Sequence, residues 1–176
     1  RWRLDRCYVS YRPLPNAPAV QPPPCERKGY ITFGSFNQTR KITPQTANHW
    51  MEVLRAVPES RLLLKSKNLG EQVERQRVQE LFMSLGLESD RLELRGHSPS
   101  VEQHLEAYND VDIALDTFPY TGCTTTADAL WMGVPVLTGA PAGHRGILSC
   151  LPIGAKARVD PVIGRLSFSR VEFDNG

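Results

Sequence analysis

Three consecutive threonines, Thr124, Thr125 and Thr126, stand between a glycine-punctuated loop and a run of good helix formers, Ala127-Asp128-Ala129-Leu130-Trp131-Met132. The chemistry open to such a junction is anion binding. A helix N-terminus presents unpaired N–H groups and about half a positive charge, and threonine hydroxyls placed there either cap the helix or donate to an anion. Asp128 falls about one turn further in, within reach of a sugar hydroxyl beside a bound phosphate. Ordinary capping accounts for the same threonines, and the local sequence leaves both readings open. A second candidate is Thr39-Arg40-Lys41, two cations just beyond the end of a strand, on the side where open α/β sheets bind ligands. One of them could face a phosphate; a solvated pair is the other reading.

For these groups to meet, the elements around them must deliver both to one edge. Val111–Leu115 is apolar and short enough for a buried strand. Asp116–Cys123, with Pro119 and Gly122, is a loop. Gly133 and Pro135 stop the helix that follows, and Val134–Leu137 is a second strand, which completes a βαβ unit. Upstream, Tyr30–Phe33 reads as a strand and Gly34–Gln38 as a loop. Thr43 and Pro44 then open a helix to about Val57, with Ala47, Trp50, Met51, Leu54 and Val57 on one face. Arg61–Lys65 is the next strand, and Gly70–Leu85 an amphipathic helix with Val73, Val78, Leu81 and Phe82 turned inward. Arg91–Leu94 is a third strand. Ser98 or Ser100 caps a short helix through Asn109 that carries Glu102 and His104.

The order β-α-β-α-β-α-β-α-β predicts a Rossmann-like α/β fold, a parallel sheet covered on both faces. No G-x-G-x-x-G follows the first strand and no Walker A lysine loop occurs, so neither a dehydrogenase nor an NTPase is supported. Residues 1–28 are proline-rich and read as an extended connector, with Cys7-Tyr8-Val9 as a short strand.

The 176 residues carry 21 basic and 19 acidic side chains, a formal charge of +2. That balance gives no strong attraction to nucleic acid or membrane, and no apolar run is long enough to span a bilayer. The four cysteines, Cys7, Cys25, Cys123 and Cys150, lie far apart without a C-x-x-C pair. This fits a reducing, cytoplasmic compartment and not a zinc knuckle or disulfide framework. The chain starts at Arg1 without a signal-peptide pattern and reads as part of a longer protein.

Several of these segments, in this order, resemble a known family. They are Phe33-Gly34-Ser35-Phe36-Asn37-Gln38 with Lys41-Ile42-Thr43-Pro44, Leu115-Asp116-Thr117-Phe118-Pro119-Tyr120, Gly122-Cys123-Thr124-Thr125-Thr126 and Leu130-Trp131-Met132-Gly133-Val134-Pro135. Together they are similar to the C-terminal catalytic half of protein O-GlcNAc transferases, with the DTFPY and TTT forms closest to the SPINDLY-like and bacterial branch. The likeness extends from Arg1 to Gly143. It implies the second lobe of a GT-B glycosyltransferase, with residues 1–28 as connector, 29–143 as the nucleotide-sugar-binding lobe and 144–176 as a divergent or truncated tail.

The resemblance also implies roles. Lys41 would stabilise the leaving diphosphate with Gln38 beside it, Thr124 and Thr125 would bind the pyrophosphate, Asp128 would hold the ribose, and His104 would lie near the nucleotide or donor. Cys123 stands where the animal enzymes have His, so a donor contact differs. The nucleobase-side lysine and arginine of those enzymes are replaced by Val101 and Ala107, which makes a GDP-fucose-using member the alternative to a UDP-GlcNAc-using one. The nucleotide sugar is a substrate; no cofactor is expected, and no metal-binding cluster is visible.

The implied reaction is metal-independent, inverting sugar transfer to a Ser or Thr hydroxyl. The protein acceptor would be held by an N-terminal lobe and tetratricopeptide repeats outside this chain, so the chain alone is expected to bind nucleotide weakly and not to turn over. Two other readings compete: a non-catalytic nucleotide-binding or scaffold domain, and a GT-B enzyme acting on a small molecule or lipid.

Overall fold

Arg61-Leu62-Leu63-Leu64-Lys65 has three leucines in a row, a pattern that suits a strand only if both of its faces are covered. The computed structural model, which describes residues 11–12 and 17–138 and the backbone of residues 149–151, 155–160 and 165–170, places this segment inside a parallel sheet. Its strands are β1 (Thr32–Ser35), β2 (Arg61–Lys65), β3 (Leu92–Arg95), β4 (Ile113–Leu115) and β5 (Val136–Thr138), ordered β3-β2-β1-β4-β5. A further strand, β6 (Ser149–Leu151), pairs antiparallel with β5. A separate antiparallel pair is formed by β7 (Ala155–Asp160) and β8 (Arg165–Arg170). The expected Rossmann-like α/β lobe is what forms.

Side chains alternate along β2, so Leu62 and Leu64 enter one core with Phe33, Trp50, Leu54 and Phe82. Leu63 enters a second core with Phe36, Tyr108, Val111 and Met132. Helices α2 (Pro44–Ala56) and α3 (Gln72–Ser84) supply the first core, and α4 (Val101–Glu106) and α5 (Thr124–Trp131) the second. The chain changes face after β3. The sheet order therefore reverses between β1 and β4, the place where open sheets of this kind leave a crevice beyond their C-terminal ends.

Three expectations need correction. First, β1 runs two residues later than Tyr30–Phe33. Gly34 does not break the strand; a Cβ there would lie 2.5 Å from a Val111 methyl, and only glycine permits that approach. Second, Val73 is not inward but 81% exposed. Val78 and Phe82, four apart, define the buried stripe of α3, and Val73 lies about 140° around the helix from Val78. Third, the connector is not extended throughout, because Pro24–Lys28 forms a short helix, α1, closed by Gly29 in the left-handed conformation. The buried Asp112 carboxylate fastens α1 to the sheet by accepting from the N–H groups of Cys25 and Thr32, each at 2.8 Å. Residues 7–9 and the expected lobe end at Gly143 lie outside the described residues. Among the described residues no helix is long and apolar enough to cross a membrane.

Candidate functional site

The crevice between β1 and β4 is closed at its base by a polar knot. Asp116, 8% exposed at the end of β4, accepts from the N–H of Thr117 at 2.8 Å, the N–H of Gly122 at 2.6 Å and the Asn37 amide at 3.3 Å. Its backbone carbonyl accepts from the indole of Trp50 at 3.1 Å. Burial pushes the Asp116 carboxyl above its ordinary range, and the two N–H groups, the Asn37 amide and the Lys41 charge each pull it back. The knot thus holds a carboxyl between hydrogen bonds from both loops, and it fixes residues 116–122 against the end of β1.

From this knot the chain enters α5. The three threonines do not cap it: the N-cap residue is Cys123, whose φ of −122° and ψ of −77° differ from the extended backbone a side-chain cap needs, and no cap hydrogen bond forms. Thr125 instead donates its hydroxyl to the Asn37 carbonyl at 3.1 Å, and its own backbone carbonyl accepts from the Tyr108 hydroxyl at 3.0 Å. The first turn is therefore gripped from both sides. Cys123 and Thr124 are exposed, Cys123 as a free thiol. Gly122 is required for this close fit, since a Cβ would meet the hydroxyls of Thr125 and Thr126 at 2.6 Å and the Asn37 carbonyl at 3.0 Å. The result is a fixed helix start without a side-chain cap, with Cys123 and Thr124 exposed beside it, and a helix start left uncapped can bind an anion.

Lys41 ends a 3-10 turn, Thr39–Lys41, that follows β1. Its ammonium reaches across the sheet edge and donates to the carbonyl of Thr121 at 2.8 Å, three residues before α5. Of the two cations in that turn, Lys41 faces the loop; Arg40 is exposed and lines the neighbouring cavity together with Gln38 and His104.

A second group lies on the α4 side. His104, in α4, has Nδ1 2.8 Å from the Lys65 ammonium and Nε2 3.8 Å from Asp128 Oδ2. The other Asp128 oxygen accepts from the hydroxyl of Tyr11 in the connector at 2.6 Å. Burial and the carboxylate together raise the Tyr11 phenol, burial being the larger cause; burial and then Arg95 lower the Lys65 ammonium. Phe36 packs against His104 and Tyr108 with ring centroids 5.8 and 4.2 Å away. A cavity of about 370 Å³ opens here, lined by Phe36, Gln38, Lys65, His97 and His104 among others.

The structure thus gathers the residues singled out in the sequence into two adjoining groups. Lys41, Cys123, Thr124 and Thr125 belong to the α5 start; Gln38 and His104 line the neighbouring cavity, and Asp128 stands beside His104. Tyr11, Asn37, Lys65, Tyr108 and Asp116 contribute to the site and carry no role in the sequence reading. Asn37 and Asp116 lie within the quoted motifs, yet their pairing spans 79 residues, which no local spacing reveals.

The family model for glycosyl transferase family 41 matches residues 27–143. SPINDLY of Arabidopsis thaliana, described as a probable UDP-N-acetylglucosamine–peptide N-acetylglucosaminyltransferase, is 45% identical over 142 residues, 81% of this chain and 16% of the relative. The corresponding transferase of Caenorhabditis elegans is 34% identical over 109 residues, 61% of this chain and 9% of the relative. Among solved structures, a mutant of the Thermobaculum terrenum O-GlcNAc transferase aligns with a TM-score of 0.71 and 40% identity, covering 80% of this chain and 26% of that one. The chain therefore spans about one-sixth of the length of SPINDLY.

Proposed function

This chain belongs to glycosyl transferase family 41, and from that premise we propose that it forms the nucleotide-sugar-binding lobe of a protein O-glycosyltransferase, with UDP-GlcNAc as donor and a Ser or Thr hydroxyl as acceptor. The observation that carries the reading is the start of α5. Its N–H groups are uncapped, its first turn is held by Asn37 and Tyr108, and the Lys41 ammonium sits on the loop that leads into it.

Transfer breaks the bond between the anomeric carbon and the β-phosphate oxygen, which keeps the electron pair, while the acceptor hydroxyl oxygen bonds to that carbon from the opposite face and its proton is released to solvent. Negative charge grows on the diphosphate as the bond breaks. Oriented N–H groups and a fixed ammonium stabilise that charge most where water is excluded, so Lys41 and the α5 start supply the positive potential and no metal ion is invoked. In this reading Thr124 and Thr125 hold the pyrophosphate, Asp128 the ribose, and His104 with Gln38 the side of the cavity next to it.

Titration calorimetry of the chain with UDP, GDP and their sugars is the test. Binding of a nucleoside diphosphate is expected, and the better ligand of the two identifies the base. Lys41→Ala removes a charged hydrogen bond to phosphate and should weaken binding by roughly 1.5–3 kcal/mol, about ten- to a hundredfold. Equal affinity of the variant, or no binding by the unmodified chain, would remove the basis of the proposal.

A further inference from the structure

Lys65 closes a strand whose three preceding residues are leucines, and unlike Arg61 at the other end it is buried, 5% exposed. An ammonium in such a place costs free energy unless a specific partner compensates. No carboxylate does so: among the described residues Lys65 makes no ion pair, the nearby Arg95 repels it, and its hydrogen bond is to His104 Nδ1 at 2.8 Å. The Phe36 ring, 5.4 Å from the ammonium, supplies the remaining favourable contact. A leucine or methionine would fill the same space without this penalty, so the charge is retained for what it does to the imidazole.

We propose that Lys65 is a positioning residue of the donor site: its ammonium donates to His104 Nδ1 and so keeps the imidazole proton on Nε2, the edge turned towards Asp128. An ammonium has three donors and no acceptor; Nδ1 must therefore offer its lone pair, and the hydrogen bond at one ring nitrogen decides where the proton of the other lies. His104 becomes a donor aimed into the space beside Asp128, and its ring is held against Phe36 and Tyr108, centroids 5.8 Å away in both cases. The same Tyr108 holds the first turn of α5 through Thr125, so a reorientation of His104 would reach the anion site as well as the ribose side. Lys65 thereby links the end of β2 to a site otherwise built from the β1 and β4 loops, α4 and the start of α5. The role assigned to His104 rests on the donor-site reading given above.

Long-range nitrogen–proton NMR of the full chain reports the His104 tautomer directly. Nδ1 without a proton and Nε2 with one is the expected spectrum; a proton on Nδ1 in the unmodified chain would overturn the proposal, whatever any variant does. Lys65→Met should release the tautomer, whereas Lys65→Arg, which keeps a donor, should preserve it. An unchanged spectrum in a folded Lys65→Met chain would also overturn it. Calorimetry with UDP and GDP supplies the functional arm. Lys65→Met is expected to weaken binding about tenfold, and the double variant with His104→Ala to bind no more weakly than His104→Ala alone. Additive losses would show that Lys65 acts independently of His104. If neither nucleotide binds the unmodified chain, the donor-site reading fails while the tautomer measurement still decides the placement of Lys65.

Discussion

Helices α2 and α5 both begin at the C-terminal edge of the sheet, and threonine stands at the start of each, as the cap of α2 and the first residue of α5, yet their N-termini are finished in opposite ways. At α2 the Thr43 hydroxyl accepts from the N–H of Thr46 at 3.1 Å, and Pro44 occupies the first turn, where its missing donor does no harm. That end is closed. At α5 three threonines are available and none caps the helix; Thr125 is drawn aside to Asn37. The contrast shows that an open helix start is a feature built by its surroundings. It rests on Cys123 at the cap position, whose backbone is unsuited to a side-chain cap.

The contrast can be broken most severely at Gly122. Gly122→Val would force a side chain into Thr125, Thr126 and Asn37, and a displaced α5 start, losing charge-assisted hydrogen bonds to the phosphate, is expected to lower nucleoside diphosphate affinity roughly 100-fold. Calorimetry measures this, with circular dichroism to verify the fold; undiminished affinity would place the anion elsewhere. Asn37→Ala comes next. It strips one donor from the buried Asp116 and the acceptor from Thr125, and urea denaturation should show a stability loss of about 2 kcal/mol; a loss below about 0.5 kcal/mol would mean the remaining donors suffice. The smallest effects distinguish the two helices themselves. Thr43→Ala should cost about 1 kcal/mol as a lost cap, whereas Thr124→Ala should stay within about 0.5 kcal/mol. Equal losses at the two positions would erase the distinction.

What the sequence disclosed follows the same division. Thr43-Pro44 was legible as a helix start because a cap is a local device, written within four residues. The apolar runs of β2 and β4 were legible because burial on both faces removes polar alternation from the middle of each strand. Gly34 misled, since glycine reads as a break, and only the approach of Val111 from 77 positions away explains it inside a strand. Val73 misled because its residue type suggests burial while its position, about 140° around the helix from Val78, lies off the buried stripe. For the site, the type and order of residues exposed the α5 start and Lys41. The ties that give them their geometry, Asn37 to Asp116, Lys65 to His104 and Tyr11 to Asp128, join residues 79, 39 and 117 positions apart, and periodicity carries no information at that range.

The hydrogen bond of Lys41 to the Thr121 carbonyl has one more consequence. A cation locked to a carboxylate must be prised from one negative charge before it can serve another, and the exchange then becomes a contest between rivals. Here the resting partner is a neutral dipole on an exposed loop. On the proposed function, an arriving diphosphate would outcompete it by charge, and on departure the lysine would have a ready place to return to, which would suit the lobe to being filled and emptied many times.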